Sequence, residues 1–188
     1  SPTGLTSVKL PASLKTIGVN AFRYNRLTEV IFPQGLEFIG STAFNGNHLL
    51  QVQIPDSVTT MGDGVFSLNN ITSFKLSKSM TTVPNGIFSR NISLTSAVIP
   101  QGITEICQAA FTGAPLTSLS LPDSLRTIRS RAFQANRLTT LEIPGSVEIL
   151  ESNSFEQNVK WRNLTSLTLN EGLSEIGSAA FKGSLLSS

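Results

Sequence analysis

The stretch LTSLSLPDSLRTIRSRAFQANR, Leu116 to Arg137, decides how the whole chain folds, because it is one copy of a pattern that fills the sequence. Copies begin at Leu5, Leu27, Leu49, Ile71, Leu94, Leu116, Leu138 and Leu164, and a ninth barely starts at Leu186. Each copy is about 22 residues long, and self-similarity at a short fixed period overrides the domain count that a length of 188 residues would suggest. Counting unit positions from the first Leu, position 18 is Phe every time: Phe22, Phe44, Phe66, Phe88, Phe111, Phe133, Phe155 and Phe181. Eight of the 11 phenylalanines thus form one column, so the aromatic content is architecture and not a scattered binding surface. Residues 1–188 read as a single repetitive domain.

Within the unit, positions 1, 4 and 6 are apolar (Leu116, Leu119 and Leu121), the alternation of a half-buried strand over positions 2 to 6. Position 7 is usually Pro, as at Pro11, Pro33, Pro55, Pro100, Pro122 and Pro144, which lacks a backbone donor and ends the strand. Positions 10 and 13 are apolar again (Leu125 and Ile128), a second short extended segment, and position 14 is Gly at Gly18, Gly40, Gly62 and Gly177. The Ala-Phe pair at positions 17 and 18 is expected on a single helical or 3₁₀ turn. Asn at position 21 (Asn25, Asn47, Asn69, Asn91, Asn136 and Asn158) is expected to tie down the return loop through side-chain to backbone hydrogen bonds. A unit this short cannot enclose a core, so its apolar side chains are buried only by stacking on the units beside it.

The recurring Pro-x-Ser-φ-x-x-Ile-Gly-x-x-Ala-Phe motif, where φ is apolar, resembles the BspA-like, or Treponema pallidum type, branch of leucine-rich repeats, over Leu5 to Leu185. The unit length also falls in the leucine-rich-repeat range of ~20–29 residues. The resemblance implies a leucine-rich-repeat solenoid that is curved, right-handed and β-rich, in secreted or wall-attached proteins. Several members are adhesins for host matrix proteins or other bacteria. Many members carry Cys near the place where this chain has Asn. The endings Asn25 to Thr28 and Asn136 to Thr139, Asn-x-Leu-Thr, look like the Gram-positive version, which implies an extracellular, cell-wall location on a Gram-positive bacterium.

Charged residues are 14% of the chain and the net charge is +2, too weak a field to argue for nucleic acid or an anionic membrane. The densest basic group is Arg126, Arg129, Arg131 and Arg137, with Lys160 and Arg162 in the next unit, and it reads as a solvated edge. The single Cys107 excludes an intrachain disulfide and a multi-cysteine zinc site, and reads as inert. No apolar run approaches the ~20 residues of a membrane span. The chain starts four residues before its first unit and lacks polar capping units, so it reads as a piece of a longer surface protein. Its exposed end faces are expected to favour weak end-to-end association.

Chemistry-bearing patterns are sparse. The one histidine, His48, sits in a loop, and no Ser or Asp has a context that would activate a nucleophile. Carboxylates such as Glu29, Glu105, Glu142, Glu148, Glu151 and Glu171 are scattered over different units. Neither a phosphate loop nor a metal-ligand spacing is present, so no catalytic residue, metal or cofactor is expected. Three glycosylation acceptor patterns start at Asn70, Asn91 and Asn163, where the repeat itself places Asn before Leu-Thr.

Binding is therefore expected on side chains that the core does not use, the outward strand positions 3 and 5. Position 3 supplies Ser7, Glu29, Gln51, Ser73, Ser96, Ser118, Thr140 and Ser166, and position 5 supplies Lys9, Ile31, Gln53, Lys75, Val98, Ser120, Glu142 and Thr168. Position 2 adds a row of Thr, good strand residues in their own right. The unit from Leu138 is four residues longer than the others and carries Lys160, the only Trp, Trp161, and Arg162 on its insertion, a candidate contact point. The expected partners are host matrix or bacterial surface proteins or glycans, without nucleic acid or membrane insertion. The competing expectation is a rigid spacer that carries another domain outward.

Overall fold

The computed structural model describes residues 4–157 and 164–185. The units stack with seven interfaces as a parallel β-solenoid, and no helix occurs among the described residues. Strands on one face occupy positions 3 to 5 or 6: β3 (Gln51–Gln53), β5 (Ser73–Lys75), β7 (Ser96–Val98), β9 (Ser118–Ser120), β11 (Thr140–Ile143) and β13 (Ser166–Leu169). They pair in register as β3–β5, β7–β9 and β11–β13, so that Thr140 lies beside Ser166 and Glu142 beside Thr168. The strand face is thus three separate pairs, and positions 3 to 5 of the first two units join none of them.

The longer ladder is the second one, at positions 12 and 13: β1 (Thr16–Ile17), β2 (Phe38–Ile39) and β4 (Thr60–Met61) form one sheet. Strands β6 (Thr82–Val83), β8 (Glu105–Ile106), β10 (Thr127–Ile128), β12 (Ile149–Leu150) and β14 (Glu175–Ile176) form another. The break between them has a covalent cause. Position 14 normally donates its N–H across the interface, as Gly40 does to Ile17 (2.8 Å) and Gly62 to Ile39 (2.8 Å), but in the fourth unit it is Pro84, which has no N–H. The extra residue of that unit is absorbed by a tight turn, Leu94 N–H to Asn91 C=O (3.1 Å), which leaves Ile92 73% exposed.

The glycines of position 14 answer to close backbone approach. A Cβ on Gly40 would stand 2.5 Å from Val19 N and one on Gly62 2.3 Å from Ser41 N, whereas one on Gly18 of the same column would meet nothing within 4 Å. Gly40→Ala is therefore expected to cost about 1–3 kcal/mol through overpacking, and Gly18→Ala to be neutral or slightly stabilising. Urea denaturation of the two variants checks this, and equal effects would contradict it.

The Ala-Phe segment is a run of β-turns and not the helical or 3₁₀ turn expected. Position 17 donates to position 14 (Ala43 N–H to Gly40 C=O, 3.2 Å) and position 19 to position 16 (Asn45 to Thr42, 3.1 Å), while Phe44 at position 18 donates sideways to Val65 of the next unit (3.1 Å). Alternating between local and neighbouring partners forces left-handed backbone. Position 16 has φ from 54° to 60° in all eight units, on residues as different as Thr42, Gly64, Ala109 and Arg131. Position 20 is left-handed in seven, from Tyr24 at 54° to Gly183 at 84°. Gly occupies only some of these places, so the inter-unit bonds, more than residue type, hold the conformation.

Two columns carry the core. Neighbouring phenylalanines of position 18 stack with ring centroids 5.1 to 6.0 Å apart, and Phe44 to Phe133 are fully buried. Phe32 packs edge-on against Phe44 and Phe66, and Phe74 stacks on Phe88 at 4.4 Å. Beside them the Asn column does the capping expected of it. Asn47 Oδ1 accepts from the Leu27 N–H (3.1 Å) and its Nδ2 donates to the carbonyls of Phe22 (2.8 Å) and Phe44 (3.0 Å). Asn69 and Asn91 repeat this arrangement. The Nδ2 of Asn91 is buried and engaged, so its acceptor pattern is a product of the repeat. In the long unit Gln157 takes over, accepting from the Leu164 N–H at 3.2 Å, while Asn158 lies outside the described residues.

Candidate binding surface

All sixteen outward strand residues that the structure describes, from Ser7 and Lys9 to Ser166 and Thr168, are exposed. The alternation explains it: in β7 and β11 the even partners Ala97 and Leu141 point into the core while Ser96, Val98, Thr140 and Glu142 point out. The Thr row of position 2 is structural, since the hydroxyls of Thr72, Thr117 and Thr165 donate to the carbonyls of Leu50, Thr95 and Thr139 one unit below (3.2 to 3.3 Å). Lys160, Trp161 and Arg162 lie outside the described residues.

The outward residues are not gathered equally. Ser120, Thr140, Glu142, Ser166 and Thr168 share a trough of about 560 Å³ over β9, β11 and β13. Asp123 and Asn170 complete it, and both escape a reading of strand positions because they lie at positions 8 and 7, beyond the strand. The available signal is that Asn170 stands where most units have Pro. Ser7, Lys9, Glu29 and Ile31 border a second depression of about 540 Å³, with Val8, Leu10 and Pro33. Gln51, Gln53, Ser73, Lys75, Ser96, Val98 and Ser118 lie on open strand surface outside these two. On the return-loop side His48 lines a third hollow, of about 440 Å³, with Leu68, Arg90 and Ile92.

Two arginines of the basic group of the sixth unit, Arg126 and Arg129, face carboxylates. Arg129 Nε meets Glu105 at 2.7 Å and its Nη1 meets Glu151 at 2.6 Å, while Arg126 approaches Glu148 at 3.9 Å. Stacking thus brings together carboxylates that the sequence scatters, but it places them around a guanidinium. Partial burial alone would raise the Glu151 carboxyl; hydrogen bonds from Arg129 and the Ser130 N–H outweigh it and hold the carboxyl below its usual range. The same two glutamates push the Arg129 guanidinium up.

Cys107 sits beside this clamp, its Sγ 3.8 Å from Glu105 Oε1. Burial, then the adjacent Glu105 charge, push the thiol up to about 11 from an ordinary 9.0, so almost no thiolate exists at neutral pH. Native Cys107 is expected to react with a disulfide reagent at pH 8 about 100-fold more slowly than the urea-unfolded chain; equal rates would contradict the assignment. Among the described residues, no three of His, Cys, Asp or Glu converge as metal ligands, and no helix is long and apolar enough to cross a membrane.

The unit pattern, the buried Phe and Asn columns and the parallel stacking agree with a sequence profile described as BspA type leucine rich repeat region, six copies, which matches residues 1–114 and 81–188. The chain belongs to the BspA-type leucine-rich-repeat family. Curated proteins yield no sequence match to this BspA-type chain. Among solved structures it is similar to a leucine-rich repeat protein from Eubacterium ventriosum, at 28% identity and a TM-score of 0.69, covering 77% of this chain and 41% of that one. A leucine rich cell surface protein from Faecalibacterium prausnitzii has the same fold, at 24% identity and a TM-score of 0.64, covering 89% of this chain and 46% of the other. The pneumococcal vaccine antigen PcpA matches at 25% identity and a TM-score of 0.53, over 86% and 50%. The BspA-type chain therefore spans half or less of each of these proteins. Two of them carry names that suggest a bacterial surface, a cell surface protein and a vaccine antigen.

Proposed function

We propose that this BspA-type segment is a non-catalytic binding scaffold on the outside of a bacterial cell wall, of the Gram-positive kind, attaching the cell to proteins or glycans through its outward strand face. One observation carries the reading: sixteen side chains in two rows are exposed and released from the core, on a backbone held by bonds between units. The surface names of the Faecalibacterium protein and the pneumococcal antigen support the location. The face holds little Trp, Tyr or Arg to concentrate binding energy, so attachment is weak per site and gains strength from many copies. That same poverty of anchors is what a rigid spacer would show.

The two readings separate in a pull-down from matrix, serum and bacterial-surface extracts, comparing the chain with two variants of equal melting temperature, Ser118→Arg with Ser120→Arg, and Trp161→Ala. A partner captured by the chain and lost by the strand-face variant supports the proposal. Loss only on Trp161→Ala moves the contact to the inserted loop, and no specific partner for any of the three proteins overturns binding in favour of the spacer.

A further inference from the structure

The trough lies over β9, β11 and β13, across one of the steps where the strand face is not hydrogen-bonded. Strands β7–β9 and β11–β13 are hydrogen-bonded pairs, but β9 and β11 are not. One unit earlier, Ala114-Pro115 replaces the usual Asn at position 21 and its follower. The Leu116 N–H closes a local turn on Ala114 C=O (2.8 Å), and Asn136 Oδ1 accepts from the Leu138 N–H (2.8 Å) where the other units' Asn accepts from position 1 of its own unit.

We propose that this trough is a subsite for a neutral glycan, an inference that rests on the binding-scaffold reading. Its volume of about 560 Å³ lies within the ~300–1,000 Å³ of small-ligand sites. Hydroxyls of Ser120, Thr140, Ser166 and Thr168 offer donors and acceptors, matching sugar hydroxyls that are both. The carboxylates of Asp123 and Glu142 accept from pairs of neighbouring hydroxyls, and Asn170 Nδ2 holds Glu142 Oε1 in place at 3.1 Å. Leu119, Leu121 and Pro144 provide apolar surface for the C–H face of a ring. Among the described residues no Lys or Arg lines the trough, which sets it against sialylated, uronic or phosphorylated ligands, and no Trp, Tyr or Arg of them is there to anchor a protein.

The test is titration calorimetry with maltotetraose and chitotetraose as neutral probes, sialyllactose as an anionic probe and octalysine as a cationic peptide. At least one neutral probe is expected to bind. The Asp123→Asn, Glu142→Gln double variant weakens it by about tenfold or more, Thr140→Arg abolishes it, and Thr59→Arg, at an exposed site away from the outward strand face, leaves it unchanged. Failure of both neutral probes, preference for sialyllactose or octalysine, or equal loss on Thr59→Arg overturns the proposal. If Thr140→Arg leaves capture of a pull-down partner intact while Ser118→Arg with Ser120→Arg removes it, the glycan subsite falls and the scaffold reading stands.

Discussion

Replacing Phe111 by Ala is expected to destabilise the chain by about 3–5 kcal/mol, the usual cost of removing a fully buried phenyl ring. Phe111 stacks between Phe88 (5.5 Å) and Phe133 (5.2 Å) and touches Phe74 (5.8 Å), so the loss includes three ring contacts and not burial alone. A stacked array gains stability from contacts between nearest neighbours, and weakening a central interface divides it into halves that unfold separately. The urea transition of Phe111→Ala should therefore broaden as its midpoint falls. Phe111→Leu, which keeps most of the apolar volume, should shift the midpoint less and keep the slope. A sharp single transition in Phe111→Ala with a loss under about 1 kcal/mol would contradict the role given to the Phe column.

Asn91→Ala should cost about 2–4 kcal/mol, through polar groups left unpaired in the interior. Asn91 Oδ1 accepts from the Ile71 N–H at 3.0 Å, and Nδ2 donates to the carbonyls of Phe66 (2.9 Å) and Phe88 (3.0 Å), all buried. Phe66 C=O keeps Asn69 and Phe88 C=O keeps the Asn91 N–H, so the Ile71 N–H is the group most completely orphaned. Asn91→Asp should be no better, since it turns a donor into a buried anion facing two carbonyls. Hydrogen exchange at the Ile71 amide together with thermal melting checks the pair. An Asp variant as stable as the parent would refute the hydrogen-bond account.

The periodic part of this architecture is legible in the sequence because stacking demands the same residue at the same place. Phe at position 18 meets a copy of itself, Asn at position 21 meets the same backbone groups at Asn47, Asn69 and Asn91, and both columns do what the pattern predicts. The left-handed positions 16 and 20 escape such reading: Tyr24, Leu68, Arg90 and Arg131 share no side-chain property, and their conformation comes from bonds to the next unit. Partners more than 20 residues apart escape it too. Nothing local in Glu105 or Glu151 announces that Arg129 will sit between them. The trough escapes it as well, since its lining comes from three successive units. The outward rows were legible, while their division into a trough and open surface was not.

The most direct test of the account measures adhesion of beads coated with the chain to matrix-protein and bacterial-surface layers, beside beads carrying Ser96→Lys, Ser118→Lys, Thr140→Lys and Ser166→Lys together. These four side chains are exposed, but Ser96 faces Ser118 and Thr140 faces Ser166 across paired strands, so like charges lower the variant's melting temperature and adhesion is compared well below it. The account predicts adhesion that rises steeply with coating density and is lost in the variant at every density. Adhesion equal in the two proteins, or absent from both, would contradict a binding strand face.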